Sequence, residues 1–129
     1  MNQDTRPPSI LVVDDDHHLC EVLAELLTDA GYVVQCAGDG EAAWTEIQAR
    51  SPDLVLSDIT MPRLDGVSLA LRLAETDSPI PIILMSAEPR AGTEVGADFI
   101  RKPFAVDALL ARIAQVLEEV DSMPLSARH

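Results

Sequence analysis

Basic side chains are scarce in this chain: nine Lys and Arg stand against 22 Asp and Glu, a formal net charge of −13. A nucleic-acid reader needs a basic footprint, so direct nucleic-acid binding is excluded. Attraction to an anionic membrane surface is excluded for the same reason. Aromatics are only 3% of the residues, so a core must be built from Leu, Val, Ile and Ala. The two cysteines, Cys20 and Cys36, lack CxxC spacing and read as buried thiols in a reducing compartment. No apolar run reaches membrane-spanning length, and no charged-then-apolar leader opens the chain. A cytoplasmic protein is expected.

What is present is enough to fold. The 129 residues suit one domain, and 47% are hydrophobic. The acid excess keeps a small protein soluble. It also leaves room for some of the acids to gather around a cation.

Short apolar runs alternate with stretches of helical periodicity. Met1 to Pro8 reads as a loose arm, and Ser9 to Val13 (SILVV) as a buried strand. Leu19, Val22, Leu23, Leu26 and Leu27 then recur at helical spacing, and Gly31 supplies the stop. Val33 to Ala37 is a second strand, Glu41 to Arg50 a helix, and Leu54 to Ser57 a third strand running into Asp58. Met61-Pro62 and Asp65-Gly66 are loop chemistry, Val67 to Glu75 is helical, and Ile80 to Met85 is a fourth strand. Asp98 to Arg101 is a short fifth strand, Val106 to Val120 is the clearest helix, and Ser122 to His129 is a tail. Continuous rather than alternating apolar strands are those covered on both faces. The expected fold is a doubly wound, five-stranded parallel α/β sheet, with chemistry beyond the C-terminal strand ends.

Polar residues stand at those ends. The first strand runs into Asp14-Asp15-Asp16, the third into Asp58, the fourth into Ser86 and the fifth into Lys102-Pro103. Taken singly, each has a bland reading: Asp16 is a helix N-cap, and the others are loop acids, a strand-end hydroxyl and a surface lysine. If the strand ends lie together, these residues converge on one cleft. Two carboxylates about 4 Å apart repel by roughly 4 kcal/mol at an effective dielectric of about 20. One lysine cannot balance three acids, whereas a hard divalent cation can. Mg²⁺ fits best, because it uses one or two carboxylates and keeps water positions open to phosphate oxygens. The adjacent His17 and His18 project about 100° apart on a helix and read as solvent-facing rather than as a metal pair.

The segments ILVVDDD (10–16), DLVLSDITMPRLDG (53–66), ILMSAE (83–88) and GADFIRKPF (96–104) resemble the defining segments of the response-regulator receiver family of two-component signalling. The resemblance covers about residues 9–120, leaving 1–8 as an arm and 121–129 as a tail or the start of a linker. It implies a flavodoxin-like receiver fold with Asp58 as phosphoryl acceptor. Asp15 binds Mg²⁺ directly, Asp14 helps hold it, and the backbone carbonyl of Thr60 completes the protein's share of the metal shell. Ser86 is the switch hydroxyl, Lys102 pairs with a phosphoryl oxygen, and Phe99 is the aromatic that turns inward on activation. The Lys102–Pro103 bond is implied to be cis. The implied partners are a sensor histidine kinase or phosphotransfer protein upstream and an output domain or protein downstream.

The sequence departs from the family's pattern in one place. Only residues 87–96, with Pro89, Gly92 and Gly96, separate Ser86 from Ala97. A crossover takes at least about 10–12 residues including its helix, and Pro and Gly oppose helix. The family's fourth helix is therefore expected to be shortened or missing and the segment mobile, with signalling moved to another face or dependent on ordering of that segment. Two rival functions are weaker. An aspartate-nucleophile phosphatase of the haloacid-dehalogenase type shares a strand followed by Asp-x-Asp, but His18 stands where that family has Thr or Val, and a cap domain has no room. A receiver-like interaction module that never carries phosphate is opposed by the retained Asp14, Asp15, Asp58, Ser86 and Lys102.

Overall fold

The computed structural model describes residues 6–59, 65–76, 80–87 and 98–121. Five strands and four helices follow one another among the described residues. They are β1 (Ser9–Val13), α1 (His17–Asp29), β2 (Val33–Ala37), α2 (Gly40–Ala49), β3 (Leu54–Asp58), α3 (Gly66–Ala74), β4 (Ile82–Ser86), β5 (Asp98–Arg101) and α4 (Val106–Asp121). All strand pairings are parallel, and the order across the sheet is β2-β1-β3-β4-β5. The doubly wound, flavodoxin-like fold expected from the sequence is the fold observed.

Strand alternation sorts the apolar side chains into two cores. Ile10, Val12, Leu54, Leu56, Ile83 and Met85 face Cys20, Leu23 and Leu27 of α1 and Leu109, Ile113 and Val116 of α4. Leu11, Val13, Val55, Ile82 and Leu84 face Ala43 and Ile47 of α2 and Leu69, Ala70 and Leu73 of α3. β1, β3 and β4 thus bury both faces, which is why their sequences show no polar alternation. Each fully buried Leu or Ile contributes about 1.5–3 kcal/mol.

The helix boundaries have local causes. Asp16, Asp39 and Asp65 cap α1, α2 and α3, their carboxylates accepting from the backbone N–H of Leu19, Ala42 and Ser68 at 3.1, 2.8 and 2.8 Å. The Asp16 cap agrees with the sequence reading. Gly31, with φ of 105°, takes the left-handed conformation that releases the chain after α1. α2 and α3 each begin one residue earlier than the periodicity suggested, at Gly40 and Gly66. The capping aspartates set those starts, not the first apolar residue. β4 begins at Ile82 rather than Ile80, since Pro81 has no N–H for the ladder; its carbonyl still accepts from Val55 N–H at 2.9 Å.

The cysteine reading needs correction. Cys20 is buried in the α1 core, but Cys36 is exposed. It lies on β2, an edge strand, where the packed helix covers only part of the surface. His17 and His18 are exposed, as expected. Pro8 is joined to the sheet, its carbonyl accepting from Val33 N–H at 3.0 Å. The segment in which a shortened or missing helix was expected falls, beyond Ala87, outside the described residues, as does the tail beyond Asp121. No helix among the described residues is long and apolar enough to cross a membrane.

Candidate functional site

The chain steps from β1 to β2 on one side of the sheet and then returns to β3 on the other side of β1. In open parallel sheets such a reversal opens a crevice beyond the carboxyl ends of the strands. Asp14 and Asp15 follow β1 there, and Asp58 ends β3. One carboxylate oxygen from each of the three lies within 4.8 Å of the others.

Each acid is held differently. Asp14 is 2% exposed; its backbone N–H donates to the Ala37 carbonyl at 3.1 Å, and its Oδ1 accepts from Asp16 N–H at 2.9 Å. That local turn aims Oδ2 at Lys102. Asp15 is exposed at the rim. Asp58 is half-buried, and Lys102 bridges it to Asp14: Nζ stands 3.3 Å from Asp58 Oδ1 and 3.4 Å from Asp14 Oδ2. The cis Lys102–Pro103 bond, implied by the family resemblance, is present. Lys102 N–H donates to the carbonyl of Ser86 at 2.8 Å, tying the end of β5 to the end of β4. Ser86 is buried at that strand end. Phe99 lies on β5 in register with Leu84, half-buried against the α2/α3 core, and its carbonyl accepts from Arg112 at 3.0 Å. Asp14, Asp15, Asp58 and Lys102 are therefore brought together, Ser86 stands at the adjoining strand end, and Phe99 packs one layer below. Thr60 lies outside the described residues.

Burial pushes the Asp58 carboxyl above its ordinary range; the negative Asp14 and Asp15 push the same way, and Lys102 only partly offsets them. Burial works against the Lys102 ammonium, but the two carboxylates it bridges outweigh that and raise its pKa. The pocket is thus short of positive charge. An all-carboxylate donor set of this kind suits a hard divalent cation, and the residues fit one.

Asp58 therefore opposes folding when ionised. Below the ordinary aspartate pKa of about 3.9 both folded and unfolded chains carry the proton and the group is neutral in its effect. As pH rises from there through the raised folded value, the unfolded chain loses its proton first and stability falls. Asp58→Asn is expected to melt a few degrees above the wild type at neutral pH without divalent cation. The gap should close as pH drops below the ordinary carboxylate range, as thermal melts across that range will read. A wild type more stable than the variant at neutral pH would contradict the assignment of strain to this carboxylate.

Sequence reasoning missed Gly66. With Asp65 it reads as loop chemistry, yet it opens α3 and donates its N–H to the Ile59 carbonyl at 2.9 Å. A Cβ there would overlap the Asp58 carbonyl oxygen and stand 2.9 Å from Ile59 Cα. The signal available was the conjunction of an N-capping Asp with Gly directly before a helical period. Cys20 was missed as a neighbour of the pocket; its Sγ lies 3.9 Å from the Asp14 carbonyl. Burial is the largest cause pushing that thiol up to about 12, and the Cys36 thiol adds to it.

Comparison with known proteins agrees with this geometry. The profile of the response regulator receiver domain matches residues 10–114. Response regulator MprA of Mycolicibacterium vanbaalenii is 42% identical over 117 residues, covering 86% of this chain and 51% of that protein. The chain thus spans about half the length of the curated relatives it matches. Among solved structures, the signal receiver domain of a signal transduction histidine kinase from Syntrophus aciditrophicus superposes with a TM-score of 0.84 at 31% identity, covering 92% of this chain and 96% of that one. The Francisella response regulator 1452 receiver domain does so with a TM-score of 0.81 at 30% identity, covering 87% and 98%. Family profile, relatives and fold agree, and the chain belongs to the response regulator receiver domain family of two-component signalling.

Proposed function

We propose that Asp58 is the phosphoryl acceptor of this receiver domain. The observation that carries the reading is the convergence of Asp14, Asp15 and Asp58 within 4.8 Å of one another, with Lys102 bridging two of them. In the reaction, an Asp58 carboxylate oxygen forms a bond to phosphorus as the donor's bond to phosphorus breaks. With a phosphohistidine donor, the imidazole nitrogen leaves with the bonding pair. Lys102, already positioned beside Asp58, pairs with a phosphoryl oxygen and offsets charge there. Asp14 and Asp15, with Asp58 and the Thr60 carbonyl, would hold Mg²⁺. When bound, that ion neutralises charge on the phosphoryl oxygens and relieves the mutual repulsion of the acids.

The product is an acyl phosphate, which brings added charge and three acceptor oxygens to the end of β3. The Ser86 hydroxyl donates to one of them, and Phe99 fills the space that Ser86 vacates. The phosphoryl group thereby biases a two-state element that changes the domain's binding surface. The domain assists its own phosphorylation and dephosphorylation and does not turn over a separate substrate.

The receiver spans residues 9–120, flanked by an arm (1–8) and a tail or linker start (121–129). Its partners are a sensor histidine kinase or phosphotransfer protein and a downstream output domain or protein, in the cytoplasm. The net charge of −13 keeps this domain itself off nucleic acid and anionic membranes. Intact mass after incubation with acetyl phosphate tests the reading. One added phosphoryl group is expected with Mg²⁺ and none with a chelator. No uptake under either condition, or equal uptake under both, would contradict it.

A further inference from the structure

The two cysteines of the chain meet beside the acid pocket, one exposed and one buried. Cys36 Sγ on β2 donates to the backbone carbonyl of Cys20 in the first turn of α1 at 3.4 Å. Cys20 Sγ in turn stands 3.8 Å from the Val12 carbonyl and 3.9 Å from the Asp14 carbonyl. Val12 is the β1 residue paired with Cys36 across the ladder, so both sulfurs sit over one register position. Packing alone asks for neither the exposure of Cys36 nor its pairing with a buried thiol. An accessible thiol seated on the backbone of a second, buried cysteine offers an attacked sulfur with a resolving one close by.

We infer that Cys36 and Cys20 form an oxidisable pair that closes to an intramolecular disulfide under peroxide, at the base of the loop carrying Asp14 and Asp15. Peroxide reaches the exposed Cys36 first. Its sulfur attacks a peroxide oxygen, the O–O bond breaks, and Cys36 sulfenic acid and water result. The Cys20 sulfur then attacks the Cys36 sulfur, the S–S bond forms and the S–O bond breaks. The departing hydroxide leaves as water with the proton of Cys20. Both thiols are oxidised and the peroxide is reduced to water. In a reducing compartment such a bond is transient and signals oxidant rather than stabilising the fold. The bond draws Cys20 Sγ toward β2 and away from the Asp14 carbonyl it now faces, at the strand end that sets the acid pocket. Resting on the function proposed above, the further expectation is that oxidation slows phosphoryl uptake severalfold and that thiol reductant restores it.

The full chain treated with hydrogen peroxide decides this. The expected results are an intact mass lower by two hydrogens, restored by reductant, and a non-reduced peptide map joining Cys20 to Cys36. Brief alkylation of the untreated protein should label Cys36 well before Cys20. In Cys36→Ser the mass loss should vanish. Sulfenic or sulfinic acid accumulating on Cys36 without cross-linking, or a covalent dimer through Cys36 of two chains, would overturn the pair. These readings require no phosphorylation, so failure of the disulfide and failure of the Asp58 assignment are separable. A disulfide that forms and leaves phosphoryl uptake unchanged would overturn its coupling to the acid pocket.

Discussion

Asp58→Asn will take up no phosphoryl group from acetyl phosphate and Mg²⁺ while remaining folded, a loss to background of the domain's proposed chemistry. The amide that replaces the carboxylate is neutral and its oxygen is a poor nucleophile. It also withdraws one of the charged oxygens from the cluster. Neither neighbour can stand in. Asp14 is buried, with one oxygen committed to the Asp16 N–H and the other to Lys102. Asp15 is exposed on the rim, and the Lys102 ammonium is drawn to Asp14 and Asp58. Position, more than acidity, selects the acceptor, because a reacting group must be held near attack geometry. The same variant is expected to be more stable than the wild type at neutral pH, since the ionised Asp58 carboxyl is disfavoured by burial. Loss of reaction together with a gain in stability separates a functional defect from misfolding. Intact mass and a thermal melt on one preparation check both halves.

Gly66→Val is the second large effect. Helix propensity has little say here, since Gly66 is the first residue of α3 and the glycine penalty belongs to helix interiors. The backbone argues against the substitution. A Cβ at Gly66 overlaps the Asp58 carbonyl oxygen and crowds Ile59 Cα, and both are main-chain atoms of β3 and its exit with no rotamer to move. Overpacking of a tight site costs about 1–3 kcal/mol, and a branched side chain against backbone belongs at the upper end. Urea denaturation should show a loss of about 3 kcal/mol. Because the displaced carbonyl belongs to Asp58, phosphoryl uptake should fall even at temperatures where the variant is folded. A neutral or stabilising result would mean that α3 does not close on β3 as described.

Most of the fold is legible in the sequence because the β1, β3 and β4 runs are apolar on both faces, as strands covered on two sides are. The site was legible for a related reason. Asp14, Asp58 and Lys102 each stand at or just after a strand end, and a parallel sheet brings its carboxyl ends to one edge. Boundaries were less legible, because Asp39 and Asp65 begin their helices by capping and not by hydrophobic period. Gly66 was read as loop because its need for a bare Cα comes from a contact with Asp58, which no local pattern records. The absence of CxxC spacing reads as a buried thiol at Cys36, but spacing says nothing of where a strand stands in the sheet. The exposure of Cys36 follows from β2 standing at the sheet edge, a fact of strand order rather than of sequence.

In the proposed function, one carboxylate among several receives the phosphoryl group because Lys102 and two further acids converge on it. The most direct measurement is borohydride reduction of the phosphorylated protein, which converts an aspartyl phosphate to homoserine, followed by peptide mass mapping. Homoserine at position 58 and nowhere else is the expected result. Homoserine at position 14 or 15, or at none of the three acids despite an added phosphoryl mass, would contradict it.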